Sequence, residues 1–131
     1  MTRRLTVIIV LALLVSGCAA GRAYRKGLEA SRAGNWDEAV AEYTKAVQEK
    51  PSRAEYKIAL ERATQTASRE HITRAQELES KDQLDAALLE YRRAVELDGS
   101  NRLAAARVVE LEKIIRDRIE ATRPKPAIDR M

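Results

Sequence analysis

The sequence predicts an all-α protein, and three observations support this prediction. The chain of 131 residues has no Phe and one Trp and is rich in Ala, Glu, Arg and Leu, a composition typical of closely packed helices. A segment with helical periodicity, residues 36–47, recurs at residues 84–95. Between Ser52 and Ser80 there is no Gly or Pro that would end a helix.

The chain begins with a segment that is typical of a secretory signal peptide. Arg3 and Arg4 form a short positive region, and an uncharged, mostly apolar run follows at residues 5–15. This run is shorter than the roughly 20 apolar residues that a membrane-spanning helix needs, so residues 1–17 are expected to be removed. Loss of the two arginines lowers the formal net charge from +4 to +2. A chain whose basic and acidic residues are so nearly equal in number is not typical of nucleic-acid binding.

The exit of this segment, Val15, Ser16, Gly17 and Cys18, resembles the lipobox of bacterial lipoproteins. Small residues before the cysteine give the lipoprotein peptidase access to the backbone, and the thiol accepts a diacylglycerol. The resemblance implies a lipid anchor on Cys18, with residues 18–21 as lipidated N-terminus and spacer, in an outer membrane facing the periplasm. The alternative is an ordinary signal peptide with a coincidental cysteine. Cys18 is the only cysteine, which excludes an internal disulfide.

An internal repeat accounts for the middle of the chain. Residues 36–47 match residues 84–95, so the residue numbers of equivalent positions differ by 48, and Asp, Ala, Glu, Tyr, Ala and Val are identical. The apolar positions of each copy follow the 3.6-residue period of a helix. Two alanines let a neighbouring helix approach closely, and a tyrosine fills the space above them. These residues are Ala39, Tyr43 and Ala46 in the first copy and Ala87, Tyr91 and Ala94 in the second.

The spacing of these residues resembles the tetratricopeptide repeat (TPR), a helix-turn-helix unit of 34 residues. Gly27 and Ala75 take the small position of helix A, and residues 34–36 and 81–84 take the tight turn before helix B. The resemblance implies two helical hairpins within a helical domain of residues 22–122, and it implies a protein-binding role.

Because the offset of 48 exceeds 34, the two units are not tandem. The extra residues precede helix A of the second unit, and an apolar stripe with spacings of three and four runs through them. The stripe predicts one long helix from about Ala54 to Ser80, whose second half is that helix A. The alternative is two helices with a break at residues 64–66, where helix propensity is lower. The stripe consists of Leu60, Ala63, Ala67, His71, Ala75 and Leu78.

A last helix is predicted from Arg102 to about Thr122. Asn101 can cap its start, and Pro124 disfavours helix at its end. We expect this helix to cover the exposed side of the second unit as a capping helix, and we expect residues 123–131 to form a Pro-containing tail. Its predicted apolar face consists of Leu103, Ala106, Val109, Leu111, Ile114, Ile115 and Ile119.

No pattern in the sequence predicts an enzyme, a metal site or a cofactor other than the covalent lipid. Carboxylates alternate with Lys and Arg, as they do on solvated helix faces, and there is no phosphate-binding loop or metal-ligand spacing. His71 lies in the apolar stripe, which favours a packing role over a general base. Trp36 matches Leu84 in the repeat, which favours packing at the turn over partner binding. No nucleic acid or small-molecule substrate is indicated.

The TPR resemblance instead implies a partner-binding groove lined by helix A. The positions that match the family's groove are Tyr24, Leu28, Arg32, Ile72, Gln76 and Glu79. Alanine at Tyr24 and Leu28 is expected to weaken partner binding without lowering the melting temperature, unless these side chains belong to the core.

The sequence is compatible with two cellular roles. Three features together resemble the helical N-terminal region of secretin-type outer-membrane proteins of type II secretion and type IV pilus systems. They are the lipobox, the helical units and the Pro-containing C-terminal segment at residues 119–126. The resemblance implies a lipid-anchored interaction module with secretin subunits as partners. The chain would be a fragment of such a protein or a stand-alone lipoprotein similar to a pilotin. The alternative is a structural or peptidoglycan-associated lipoprotein without a secretion role.

The lipid anchor leads to a first prediction. Cys18→Ala removes the only thiol, so the variant is expected to take up no alkyne-tagged palmitate during growth and to migrate as an unprocessed precursor. Ser16→Ala keeps a small residue before the cysteine and is the control, which should still be labelled. Labelling of the Cys18→Ala chain would contradict the assignment.

Overall fold

The computed structural model describes residues 19–124, and the regular secondary structure in this range is helical throughout, as predicted. The signal segment, the lipobox including Cys18, and the tail at residues 125–131 lie outside the described residues. The helices are α1, which includes residues 19–32, α2 (Trp36–Glu49), α3 (Ala54–Ser80), α4 (Leu84–Leu97) and α5 (Arg102–Thr122).

The described residues divide between Ala67 and Ser68 into two compact units. Unit 1 contains α1, α2 and the first half of α3, and unit 2 contains the second half of α3, α4 and α5. The predicted helical architecture is confirmed: there are two helical hairpins, a long helix that links them, and a further helix after the second hairpin.

The long helix α3 is continuous over 27 residues, or about 40 Å at the usual rise, as the apolar stripe predicts. The expected weak point at residues 64–66 does not break it. The hydroxyls of Thr64 and Thr66 donate to carbonyls one turn back, of Leu60 at 3.0 Å and Arg62 at 2.9 Å, so both threonines are satisfied inside the helix.

The same tight turn joins helices A and B in both units. Its central residue has a positive φ, 79° at Gly34 and 57° at Asp82. Glycine adopts this conformation readily, and aspartate is among the few other residues that do. In both turns the next backbone N–H donates, at 2.9 Å, to the carbonyl five residues earlier. The carboxylate of Asp82 also accepts two hydrogen bonds from Arg118, at 3.0 and 2.9 Å, which connect this turn to α5.

Unit 1 is packed around the ring of Tyr43. This ring lies directly against Gly27 of α1, where an added Cβ would come within 2.6 Å of two ring carbons. The glycine therefore lets the tyrosine fit between α1 and α2. Its neighbours in the core are small as well, since Ala30, Ala39 and Ala63 are all buried.

Unit 2 repeats this arrangement with larger side chains. Tyr91 is buried beside Ala75, which takes the place of Gly27. Leu111 of α5 belongs to the core of unit 2 and is fully buried; it is the counterpart of Ala63 in unit 1. Asn101 caps α5 as predicted, since its side-chain oxygen accepts a hydrogen bond from the Ala104 N–H at 3.0 Å.

The face of α5 that packs on unit 2 is narrower than the predicted one. Leu111, Ile114 and Ile115 do contact the core, together with Ala104 and Val108. The remaining predicted residues are exposed on other faces of the helix, because the packed stripe follows spacings of three and four from Ala104. These exposed residues are Leu103, Ala106, Val109 and Ile119.

The internal repeat includes a third helix that the sequence comparison missed. The bounds of α2 recur in α4 at the repeat offset, and the start of α3 at Ala54 recurs in the start of α5 at Arg102. The first half of α3 and the first half of α5 are therefore equivalent elements, each packed on its own hairpin. The extra residues that lengthen the repeat are part of the unit and are not an insertion between hairpins.

At the N-terminal end of the described range, α1 already includes residues 19–21, and Ala20 is fully buried. Ala20 belongs to a core cluster with Ala46 and Tyr56. The expectation of a spacer at residues 19–21 is wrong, because these residues belong to the packed helix.

A second prediction follows from the contact between Gly27 and Tyr43. Gly27→Ala is expected to lower the free energy of unfolding by about 1–3 kcal/mol, because the methyl group forces the buried ring to move. The control is Gly21→Ala in the same helix, where an added Cβ meets no atom within 4 Å; it should stabilise by up to about 1 kcal/mol. Chemical denaturation measures both. Equal stabilities of the two variants would contradict the prediction.

Candidate functional site

Each unit contains a surface cavity, and the two cavities are equivalent in the repeat. Eight residues that line the unit 1 cavity have counterparts, at the repeat offset, that line the unit 2 cavity. In unit 1 these are Tyr24, Leu28, Ser31, Tyr43, Glu55, Ile58, Ala59 and Arg62. Because both cavities follow from the same arrangement of three helices, they are properties of the fold and not accidents of local packing.

The unit 1 cavity has an aromatic wall and a volume of about 510 Å³. The ring of Tyr24 stacks on Tyr56 with a centroid distance of 4.7 Å, and it tilts towards Tyr43 at 5.6 Å. Trp36 contributes a further ring from the start of α2. Burial raises the pKa of the Tyr24 hydroxyl, and the nearby carboxylate of Glu55 adds to this shift. The tyrosine is therefore neutral at neutral pH.

The opposite wall of this cavity is one face of α3. Ile58 is 49% exposed although it is a large apolar residue, and Ala59 beside it leaves space in the cavity. Glu55 and Arg62, one turn before and one turn after Ile58, are exposed and place opposite charges at the rim. An apolar wall between two opposite charges suits an apolar side chain carried on a peptide backbone.

The unit 2 cavity is smaller, about 330 Å³, and it contains an ion pair. Glu79 accepts hydrogen bonds from the Tyr91 hydroxyl at 2.8 Å and from Nε of Arg107 at 3.0 Å, and a second guanidinium nitrogen also contacts it. In unit 1 the equivalent positions hold Ser31 and Ala59. The space that is open in unit 1 is thus largely occupied in unit 2.

The charges of this network are stabilised by one another. The hydrogen bonds from Arg107, together with that from Tyr91, lower the pKa of Glu79. The same contact raises the pKa of Arg107, with a further contribution from Glu110. Burial, and then the hydrogen bond to Glu79, raise the pKa of Tyr91 to about 12. All three groups therefore keep their ordinary charge at neutral pH, and the network connects α3, α4 and α5.

The predicted groove residues are divided between the two cavities. Tyr24 and Leu28 line the unit 1 cavity, and Ile72, Gln76 and Glu79 line the unit 2 cavity. The sixth predicted residue, Arg32, is exposed on α1 and lines neither cavity.

Tyr24 and Leu28 also pack against the core of unit 1, so truncation of either side chain affects stability as well as the cavity wall. The α3 wall, with Glu55, Ile58 and Arg62, was missed in the sequence. This wall is the third element of the repeat, but residues 54–67 share no identical position with residues 102–115, so the sequence comparison does not reveal it.

His71 and Ser68 lie on the buried face of α3 that packs against α4. Nδ1 of His71 is 2.7 Å from a carboxylate oxygen of Glu90, and the Ser68 hydroxyl donates to the Ala94 carbonyl at 2.9 Å. Both side chains are at most 5% exposed. Their polar groups connect two helices of the same unit, which is a packing role. Trp36 packs against the core of unit 1 and also lines its cavity.

Within residues 19–124, no group of three or more His, Cys, Asp or Glu side chains is placed to hold a metal ion. In the same range no helix combines the length and the apolar character needed to cross a bilayer.

Comparisons with known proteins give similarities to solved structures. No protein-family model matches the chain, and no curated protein is significantly similar to it in sequence. Among solved structures, the TPR domain of Arabidopsis OM64 is similar, with 22% identity and a TM-score of 0.37; the match covers 75% of this chain and 98% of that domain. The helices and turns of this chain define its fold independently of that similarity.

A third prediction concerns the ion pair in unit 2. Glu79→Gln is expected to lower the free energy of unfolding at neutral pH by about 1–2 kcal/mol, because it removes a charge that Arg107 and Tyr91 contact. The folded-state pKa of Glu79 is lowered, so its stabilisation is present above the ordinary value of 4.5 and is lost as the pH falls below it. The two proteins should therefore approach equal stability in acid.

Denaturation of both proteins across this pH range measures the effect. The matched control is Glu110→Gln, which removes a partner of Arg107 that is 59% exposed and should cost less than about 1 kcal/mol. A stability difference between wild type and Glu79→Gln that does not change with pH would show that the carboxylate charge is not the cause.

Proposed function

We propose that this chain is a non-enzymatic, lipid-anchored module of the cell envelope that binds a protein partner through the unit 1 cavity. One observation carries the proposal: the same cavity occurs in both units, and in unit 1 it is open, lined by aromatic and apolar side chains, and bordered by charges. Its volume of about 510 Å³ is within the range of ligand-binding clefts.

The shape of the site favours a peptide segment or a helix as the ligand. Tyr24, Tyr43 and Trp36 offer flat apolar surfaces to one large side chain, while Glu55 and Arg62 can bind polar groups beside it. Recognition of a helix by apolar anchors in a groove is a common mode of binding between helical proteins. The polar side chains of the site, at its rim and in its wall, can form hydrogen bonds with the ligand.

The cellular setting is inferred from the N-terminal sequence. The lipobox at residues 15–18 favours an anchor in the outer membrane, facing the periplasm. The resemblance of the chain to the helical region of secretin-type proteins favours secretin subunits as partners. In this proposal the module assists, or forms part of, a secretion or pilus assembly. A structural or peptidoglycan-associated lipoprotein is the alternative.

A fourth prediction tests the cavity directly. Ile58→Glu places a charge in the apolar wall and is expected to reduce partner binding by about tenfold or more. The effect on stability should be small, because the side chain is 49% exposed. The matched control is Leu89→Glu, an equally drastic change at a residue of α4 that is 64% exposed and lines none of the described cavities.

Binding is measured by co-purification of the tagged full chain, in detergent, with the secretin subunits of its own organism, and by titration of the purified pair. Loss of binding in Ile58→Glu but not in Leu89→Glu supports the cavity as the docking site. Equal loss in both variants contradicts it. If no secretin subunit is recovered with the wild-type chain, the secretin role is wrong, and the structural alternative is favoured.

A further inference from the structure

The last helix continues beyond the end of the repeat. Ala67 is the last residue of α3 in unit 1, and its equivalent in α5 is position 115. Beyond these positions both helices continue: α3 continues into unit 2, and α5 continues to Thr122. Residues 116–122 of α5 therefore correspond to the first residues of a helix A. In α3 the equivalent face receives α4, through contacts such as that of His71 with Glu90. In the part of the chain that the structure describes, no helix covers this face of α5.

The uncovered face forms an apolar patch with a charged border. Leu88, Ile115 and Ile119 line a cavity of about 390 Å³, and Ile119 is 58% exposed. Four charged residues of α5 and its C-terminal end surround it, and they also line the cavity: Glu112, Arg116, Glu120 and Arg123. The border thus has two acidic and two basic side chains, so it is neutral as a whole.

We propose that a second copy of this chain docks on this patch, with the two α5 helices antiparallel. The order of the charges carries the proposal. If a two-fold axis passes between positions 117 and 118, Glu112 of each copy, which binds Arg92 of its own chain at 2.7 Å and is partly exposed, lies opposite Arg123 of the second copy and can bind both arginines. In this register Arg116 lies opposite Ile119 and next to Glu120 of the second copy. Ile115 lies opposite Glu120 and next to Ile119 of the second copy.

This register pairs Glu112 with Arg123 and brings Arg116 within one residue of Glu120, and it brings Ile115 within one residue of Ile119. A two-fold interface presents the same surface on both sides, so a patch can bind itself only if it is complementary to itself in this way. The apolar area is small, and the dimer is therefore of the weak class that forms at high local concentration. The inference does not depend on the proposed partner site, which lies on unit 1, whereas every residue of this patch belongs to unit 2.

Charge reversal provides a specific test. Arg123→Glu places two like charges opposite each other, and so does Glu112→Arg, so each variant alone is expected to self-associate at least about tenfold more weakly than wild type. Mixing the two variants restores opposite charges at both contacts and should restore dimers, as heterodimers. The two positions are about 16 Å apart along the helix, so they cannot compensate for each other within one copy.

The measurement is density-matched sedimentation equilibrium of the full chain in detergent, at protein concentrations up to about 1 mM. Ile119→Glu is expected to weaken self-association as well. Val109→Glu, a change of the same kind at a residue of α5 that is 66% exposed and lies outside the patch, should leave it unchanged. Circular dichroism checks that each variant is folded.

Three results would overturn the proposal: a wild-type chain that stays monomeric throughout, dimers that persist in Ile119→Glu, or a mixture of the charge variants that associates no better than each variant alone. Self-association that is equally weakened by Val109→Glu would place the interface elsewhere and would also contradict it. The binding of a protein partner at Ile58 can fail or succeed independently of each of these outcomes.

Discussion

The structure depends on a tyrosine of helix B that packs against a very small residue of helix A. With no Phe in the chain, Tyr43 and Tyr91 are the large side chains that fill the space inside each hairpin. The rings fit because Gly27 and Ala75 leave room for them. The tyrosine ring lies between helices A and B and holds them apart. The third helix of the unit packs beside this hairpin, and a cavity remains next to the ring. The hairpin, the third helix and the candidate site thus share one cause.

The two units use this common frame differently. In unit 1 the polar partner of Tyr43 is the small Ser31, 3.4 Å from the phenol oxygen, and the opposite wall is Ala59. In unit 2 the equivalent positions hold Glu79 and Arg107, and their ion pair occupies the space. The same backbone therefore yields an open apolar site in one unit and a polar cross-link in the other. The repeat supplies the scaffold, and unit 1 keeps the larger space, about 510 Å³ against about 330 Å³ in unit 2.

The sequence predicts the helices well because their signals are local. Periodicity, the cap at Asn101 and the stop at Pro124 fix the bounds of α5, and the absence of Gly and Pro fixes the length of α3. The cavity walls depend on tertiary packing, which is why half of the candidate site was missed. Ile58 and its neighbours match nothing identical in the second copy, since Ala and Arg replace Ile and Ala there. Likewise, hydrophobicity alone could not show which apolar residues of α5 face the core.

The long helix explains both the repeat length and the uncovered face of α5 within the described residues. Because no Gly or Pro interrupts α3, the third helix of unit 1 continues directly as helix A of unit 2, and the period is longer than that of tandem TPR units. In a fold that extends by sharing a helix between units, the last described helix, α5, has begun the next unit. In α5, Ile119 stands where His71 stands in α3, but no helix B follows within the described residues. An exposed apolar patch at this end is therefore a consequence of how the units are joined.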